Sequence, residues 1–512
     1  MGTYTYPGVY IQEVDTGNKP IEGVSTSIAG FLGIAERGPQ AATFLASYAD
    51  YQRSYGSYYV DSTGAQAYLA YAVEGFFLNG GQGCWVARVV SSTAGTAQAA
   101  LTNITISAAG PGATGGQIGY QIQPASIAPA DTTKFKLLLY YWSTAAAAAT
   151  KDPTTATQAE VFDNLSISTT SSTYFVGTVT SGSNLVTVTQ TGTGPVTATA
   201  AIALLTPPAG ADPALVLGDF AGSSVNPAAP TGLAALDAID DISIYCCPDE
   251  HYLDGSVPGS IAADMLASCQ NLMDRFAIFQ SSVNAGPPAK VTPGQTIISS
   301  RGYSAFYYPW LNVANPTTDV ITLVPPGGHM AGIYARSDAN YNVAKDPANE
   351  QIAGISSLQL PINNATQGQL NPIGVNCLRY FKAQGNLVWG GRTTSPDPDW
   401  QYISVRRLFI FIEKSIQQGT QWVVFEPNNA PTWARLIRSV SDFLTGLWMQ
   451  DMLMGATKEQ AFFVRCDTTT MTQTDIDSGR LIAVIGIAPV MPAEFVIFQI
   501  GQWTGGATVT ES

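Results

Sequence analysis

Charge is scarce in this chain. Only 12% of its 512 residues are Asp, Glu, Lys or Arg, against ~25% in an ordinary soluble domain. The 23 basic residues are outnumbered by 37 acidic ones, for a net charge of −14. That balance argues against a nucleic-acid partner, which needs clustered Lys and Arg. Histidine is rarer still, with His251 and His329 alone, and six cysteines are too few for a disulfide scaffold. We read Cys84, Cys246, Cys247, Cys269, Cys377 and Cys466 as reduced, buried thiols. The longest apolar run, residues 481–493, falls short of the ~20 residues that span a bilayer. The opening residues have neither the basic stretch nor the apolar core of a signal peptide. We therefore expect assembly in the cytoplasm and no direct contact with a membrane.

Signatures of catalysis are equally sparse. No GxSxG elbow, P-loop, HExxH or GxGxxG pattern occurs. The stretch from Cys246 to His251 has neither a CxxC nor a paired His, so it does not read as a zinc site. Asp397, Asp399 and Glu413 read as solvated or helix-start charges. Gly192-Thr193-Gly194 lacks the Lys of a phosphate loop. We expect no enzyme activity, no cofactor and no metal.

What the chain has is apolar surface: 46% of residues are hydrophobic and 10% aromatic. Composition changes along it. Residues 91–232 hold nine charged side chains and no Arg, the other 370 residues hold 51, and the middle stretch is rich in Thr, Ser, Ala and Gly. Residues 174–179 and 184–189 read as strands there, and 145–149 as a short helix or a loop. The flanks have a different pattern. Leu69, Ala72, Val73, Phe76 and Phe77 have helical spacing, and residues 84–90 read as a buried strand. Strand 242–247, a helix from Ile261 to about Phe276 and strand 277–280 follow in β-α-β order, which favours a mostly parallel sheet. Val405 to Ile416 marks a helix, 422–426 a strand, and Trp433 to Leu447 a further helix. The turn-rich PPGGHMAG stretch, residues 325–332, reads as a rigid junction. The fold class is α/β (α+β), with a core drawn from both sides of a β-rich insert. A surface this poor in charge points to coverage by other subunits, since interface cores are depleted in charge. A Thr/Ser/Gly-rich β surface accounts for part of the effect.

Both ends read as extended apolar segments, YPGVYIQEV at 6–14 and EFVIFQI at 494–500, with another strand at 481–487. A free hydrophobic strand invites aggregation, so each end must pair within its own subunit or on a neighbour. The segments together resemble the contractile tail sheath family of phage tails, contractile bacteriocins and extracellular injection systems. The residues that carry the resemblance are the opening from Tyr6 to Pro39, Tyr307-Tyr308-Pro309-Trp310 with VPPGGHMAGIYAR after it, KDPANE at 345–350, LNPIGVNCLRYF, WGGRTT, YISVRRLFIFIEKSI and PAEFVIFQI. The match covers about 1–88 and 235–503, and leaves the insert unmatched.

The resemblance implies a structural subunit that polymerises with itself as stacked hexameric rings around an inner tube protein, between a baseplate and a cap or terminator. The sheath contracts from a metastable extended state to drive the tube through an envelope. The bland alternative is another self-assembling tube or shell that does not contract. The implied organisation is a linking arm at 1–25, core parts at 26–90 and 234–487, an outer inserted domain at 91–233 and a linking strand and tail at 488–512. Terminal strands complete sheets in neighbouring subunits, through Tyr6, Val9, Tyr10, Ile11 and Val14 at one end and Phe495, Val496, Ile497, Phe498 and Ile500 at the other. Gly17, Gly23, Gly501, Gly505 and Gly506 are candidate flexible points. Arg435 and Arg438 are candidate contacts for an acidic inner tube, with a solvated face or an Arg438–Asp442 ion pair as the plainer reading.

Overall fold

The computed structural model describes residues 20–498, apart from 62, 128, 130, 211, 256–258, 284, 286–290 and 316–317. Its main sheet is made of β1 (Ala29–Ile34), β2 (Thr43–Leu45), β3 (Cys84–Val89), β4 (Ile244–Cys246), β5 (Phe276–Gln280), β6 (Ser304–Tyr308), β7 (Glu350–Gln351), β8 (Val375–Phe381) and β9 (Gly385–Trp389). Among the described residues these nine strands lie in the order β7-β9-β8-β6-β5-β4-β1-β3-β2. The six strands from β8 to β3 are parallel, β2 and β9 run antiparallel to them, and β7 pairs antiparallel with β9. Strands β1, β5 and β6 are buried at every position. Continuous rather than alternating burial is the mark of a parallel sheet covered on both faces. Ala29 of β1 pairs with Cys84 on one side and Ile244 on the other. The middle of the sheet is thus built from chain on both sides of the low-charge stretch.

Helices α1 (Tyr48–Tyr55), α2 (Leu69–Leu78), α3 (Ser260–Leu272) and α4 (Gly327–Asn340) belong to the same apolar cluster as the sheet. The PPGGHMAG stretch is more than a turn, because its glycines already lie inside α4. A Cβ at Gly328 would fall closer than 3.0 Å to Ala72, and one at Gly332 equally close to the Phe76 carbonyl oxygen. Gly75 of α2 leaves the same room for the His329 ring. The motif is a surface for close helix packing. Burial takes His329 down to about 4, so the ring is neutral there.

The low-charge stretch forms two smaller sheets. One has the order 203–204, 118–124, 134–141, 158–166, and the other 98–101, 104–108, 186–190. They share a separate apolar cluster that includes Ile106, Ile122, Leu137, Leu139 and Val188. Residues 174–179, read above as a strand, lie at the start of the helix Phe175–Gly182, which buries Phe175 and Val179 one turn apart. A short apolar run fits either period, and burial decided for the helix. Polar contacts join this unit to the main sheet. Arg37 donates to Gln158 Oε1 at 2.6 Å, Arg88 to the Pro111 carbonyl at 2.8 Å, and the Thr114 hydroxyl to the Glu36 carbonyl at 2.6 Å.

A third apolar cluster joins α5 (Ile403–Gly419) to α6 (Ala430–Met449) through Leu408, Ile412, Leu436, Val440, Leu444 and Leu447. Residues 422–426, read above as a strand, form no strand. A 3-10 turn at Gln421–Val423 runs into a loop where Val424 is exposed and Phe425 fully so. Phe425 sits at φ +68°, left-handed backbone that cannot join a ladder.

The glycine packing gives a direct test. Gly332→Ala should cost roughly 1–3 kcal/mol by forcing α2 and α4 apart. Gly368, in the helix Asn364–Leu370, has nothing within 4 Å of a Cβ. There an Ala should instead gain up to ~1 kcal/mol of helix propensity. Urea unfolding of the two variants compares them, and equal effects would count against the close-packing account.

Candidate inter-subunit surface

The C-terminal part carries a small ribbon of two antiparallel strands, β10 (Phe462–Arg465) and β11 (Val484–Ile487), in the register Phe462↔Ile487 to Arg465↔Val484. Phe462, Val464, Ile485 and Ile487 turn toward the α5–α6 cluster. Phe463 and Val484 face out and are exposed. Among the described residues no third strand joins the ribbon. Two-stranded ribbons are marginal alone, and open edges are templates for further strands.

Beyond β11 the chain runs past residues 452–454, where the Met454 N–H donates to the Ala488 carbonyl at 2.8 Å. It then reaches Glu494. This carboxylate accepts from Arg392 Nε at 2.9 Å and Nη2 at 2.7 Å, from Asn371 Nδ2 at 2.6 Å and from the Tyr402 hydroxyl at 3.1 Å. Burial would raise its pKa, but the bonds from Arg392 and its neighbours win and hold it below the ordinary Glu value. Immediately afterwards the side chains open to solvent: Phe495 is 71% exposed, Val496 69%, Ile497 82% and Phe498 83%. Within one chain these residues, read above as a strand, belong to none. Among the described residues nothing covers these four large apolar groups in a row. Ile500 lies outside the described residues, as do Tyr6, Val9, Tyr10, Ile11 and Val14 and the glycines at 17, 501, 505 and 506.

At the other end the described chain starts as a strip on α5. Ile21 packs against Gly419, and the Val24 N–H donates to Ser415 Oγ at 3.1 Å. Gly23, proposed above as a flexible point, is pressed against Phe411 so closely that a Cβ would fall within 3.0 Å. Its small size serves contact rather than freedom. The Thr26 hydroxyl donates to Asp338 at 2.6 Å, and Asp338 is held bidentately by Arg407 at 2.9 and 2.6 Å.

Arg435 and Arg438 both lie exposed on α6. The chain itself engages Arg435, which pairs with Glu426 at 2.7 Å and lies 5.1 Å over the Trp422 ring. Three features escaped the sequence reading: the Glu494 clip, the open β10–β11 ribbon and the exposed Phe425. The lone acid at the head of PAEFVIF was the available signal for the first.

The residues weighed for chemistry have structural partners. His251 Nδ1 lies 2.7 Å from Asp254 Oδ2, and Nε2 lies 2.9 Å from the Gln280 carbonyl. Asp397 accepts from the Asp399 N–H at the start of a 3-10 turn, and Glu413 pairs with Arg406 at 2.9 Å. Among the described residues no group of three His, Cys, Asp or Glu could hold a metal ion, and all six cysteines are free and buried. No helix among the described residues is long and apolar enough to cross a membrane.

Several buried groups titrate far from their ordinary values. Burial pushes Asp249 up to about 7, although the Ile34 and Tyr68 N–H groups donate to it at 2.8 Å each. Burial also takes Asp346 up to about 6, against the bond from the Ser404 N–H. At His251 burial alone would lower the pKa, but the contact with Glu250 and the nearby Asp254 outweigh it and raise the ring to about 10. All three bind protons more tightly folded than unfolded, so their contribution to stability is lost as pH rises through about 6, 7 and 10. The subunit should therefore unfold at lower urea concentration at pH ~8.5 than at pH ~5.5. Asp249→Asn should flatten that difference, and a rise in stability toward alkaline pH would contradict the assignment.

The chain is similar to known proteins in both sequence and fold. A family model for the phage tail sheath protein central domain matches residues 226–394, and one for the phage tail sheath C-terminal domain matches 395–502. The tail sheath protein of Enterobacteria phage T4 is 23% identical over 303 residues, a match that covers 58% of this chain and 42% of that protein. The tail sheath protein of Vibrio phage KVP40 is 29% identical over 177 residues, 34% of this chain and 26% of that one. The matches thus span less than half of each of these two relatives. In fold, the chain is similar to the contracted helical sheath of the anti-feeding prophage, with TM-score 0.58 and 22% identity over 98% of this chain and all of the other (100%). It is also similar to the contracted sheath of the extracellular injection system PVC, with TM-score 0.56 and 22% identity over 98% and 99%.

Proposed function

The chain belongs to the contractile tail sheath family, and from that premise we propose that it is the structural subunit of a contractile sheath. Subunits assemble as stacked hexameric rings around an inner tube, between a baseplate and a cap. Contraction from a metastable extended state drives the tube through a target envelope. The observation that carries this reading is the coexistence, in one chain, of an uncovered apolar segment at 495–498 and a ribbon with open edges at β10–β11. Donor and acceptor complement each other across copies. A segment of one subunit, laid on the ribbon of the next, satisfies its backbone groups and buries its side chains together, the mode of β-strand addition. Burying a Phe or Ile is worth about 1.5–3 kcal/mol each, ample for a contact repeated at every subunit. The N-terminal arm, with Tyr6, Val9, Tyr10, Ile11 and Val14, supplies a second strand.

Strand addition also suits contraction. Main-chain ladders tie the subunits into a mesh while the compact cores move as bodies. The energy is stored at assembly in a kinetically trapped state rather than drawn from a nucleotide. The unit at 91–233 lies on the outside of the sheath. The outer face of α6, with Arg438, turns toward the tube.

Ile497→Pro removes a ladder N–H and disturbs pairing. It should leave a folded subunit that forms no tubes in electron micrographs. Deleting residues 1–15 should do the same through the other strand. Tubes of normal length from either variant would remove the corresponding segment from the proposed mesh.

A further inference from the structure

Near each end of the described residues a side-chain network holds the main chain to the core. Each network is a polar clip, and both clips engage the same helix. At the C-terminal root, Glu494 is held by Arg392, Asn371 and Tyr402, and Tyr402 is the N-cap of α5. Arg392 is itself fixed. Its N–H donates to Asn376 Oδ1 at 2.8 Å, and Asn376 Nδ2 donates back to its carbonyl at 2.7 Å. Asn376 is a fully buried residue of β8, so the clip is mounted on the main sheet. The preceding glycines make room: a Cβ at Gly390 would fall within 3.0 Å of Asn376, and one at Gly391 equally close to Asp346. The WGGRTT motif thus reads as a mount for one guanidinium.

At the N-terminal end the chain lies along α5 from Ile21 to Thr26; Thr26 is held by Asp338, and Arg407 of α5 binds both Asp338 and the Thr26 carbonyl at 2.9 Å. Arg407 and Asp338 are each only 4% exposed. Farther along α5, Ser415 holds Val24. Tyr402 and Ser415 are thirteen residues apart, roughly 20 Å at the helical rise.

We infer that Glu494 and Thr26, with their partners Arg392, Asn371, Tyr402, Asp338 and Arg407, are positioning residues for assembly: Glu494 fixes the direction in which the chain leaves the core at Phe495, and Thr26 fixes the strip at 21–26 along α5, the strut between the two. The inference rests on the strand exchange proposed above. A segment free to swing about its root must lose that freedom on docking, whereas one aimed in advance has already lost it. A carboxylate held by a guanidinium fork and two neutral donors fixes direction as well as distance. An apolar contact would not, because it has no preferred angle.

The test is sheath assembly in vitro from full-length subunits bearing Glu494→Gln, Tyr402→Phe or Thr26→Val, each nearly isosteric. Sedimentation gives the critical concentration, and hydrogen exchange follows residues 488–494. Glu494→Gln should keep the parent's unfolding midpoint, lose protection at 488–494 and raise the critical concentration about tenfold, the weight of one charge-assisted contact. Tyr402→Phe and Thr26→Val should raise it less, each at unchanged unfolding midpoint. Critical concentrations within about twofold of the parent in all three would overturn the inference, provided that Ile497→Pro abolishes tubes. If Ile497→Pro assembles normally, the strand exchange itself fails and this inference falls with it. If Glu494→Gln does not fold, Tyr402→Phe and Thr26→Val decide by the same readout.

Discussion

A backbone edge in water must find a partner, and most of this molecule can be read from how that demand is met. The main sheet meets it internally. Strand β1 lies between β3 and β4, so its edges are taken by chain from before and after the 91–232 stretch. Among the described residues the ribbon β10–β11 leaves the demand open, and so does the apolar run that follows Glu494. The clip on Glu494 anchors the run at its base, and the strand exchange proposed above meets both demands at once by pairing the run of one copy with the ribbon of the next.

Charge is used sparingly and in chosen places. Arg37, Arg88, Arg275, Arg406 and Arg407 are all buried, and each reaches residues distant in sequence. Arg37 and Arg88 connect the main sheet to the 91–233 unit. Arg406 lies over the rings of Tyr303 and Trp400, and Arg407 secures the N-terminal root. Removing the acid of a buried pair such as Arg407–Asp338 strands a buried charge, at a cost of about 3–5 kcal/mol. These arginines therefore fix the relative placement of parts more than they raise stability, which a well-packed apolar substitute would supply as well. In the contraction proposed above, where subunits move as bodies, fixed placement is the property that matters.

Long periodic segments of the sequence were legible because burial repeats along them. The helices around Leu69, Ile261, Val405 and Leu436 and the strands read at 84–90 and 277–280 follow the apolar spacing, although Phe276, read as helix, opens the second strand and the helix ends at Leu272. Short runs were not legible. Residues 174–179 and 422–426 looked alike as apolar, β-branched stretches, yet one became a helix and the other an exposed loop, decided by neighbours distant in sequence. The glycines of PPGGHMAG read as turn formers because close helix packing leaves no local trace. The surface was legible in part. The terminal runs announced themselves by apolar content, but the clip on Glu494 needs Arg392, Asn371 and Tyr402, brought together only by the fold. Gly23 shows the same limit, since a contact with Phe411 across nearly four hundred residues has no signature near position 23.

Strand exchange between subunits is the central claim, and an electron cryomicroscopy map of the assembled polymer at side-chain resolution tests it most directly. The account predicts density for Phe495–Phe498 as a strand added to the β10–β11 ribbon of a neighbouring copy, with Glu494 still held by Arg392 of its own subunit. A map in which those residues fold back onto their own ribbon, or stand in solvent with the ribbon edges unpaired, would contradict it.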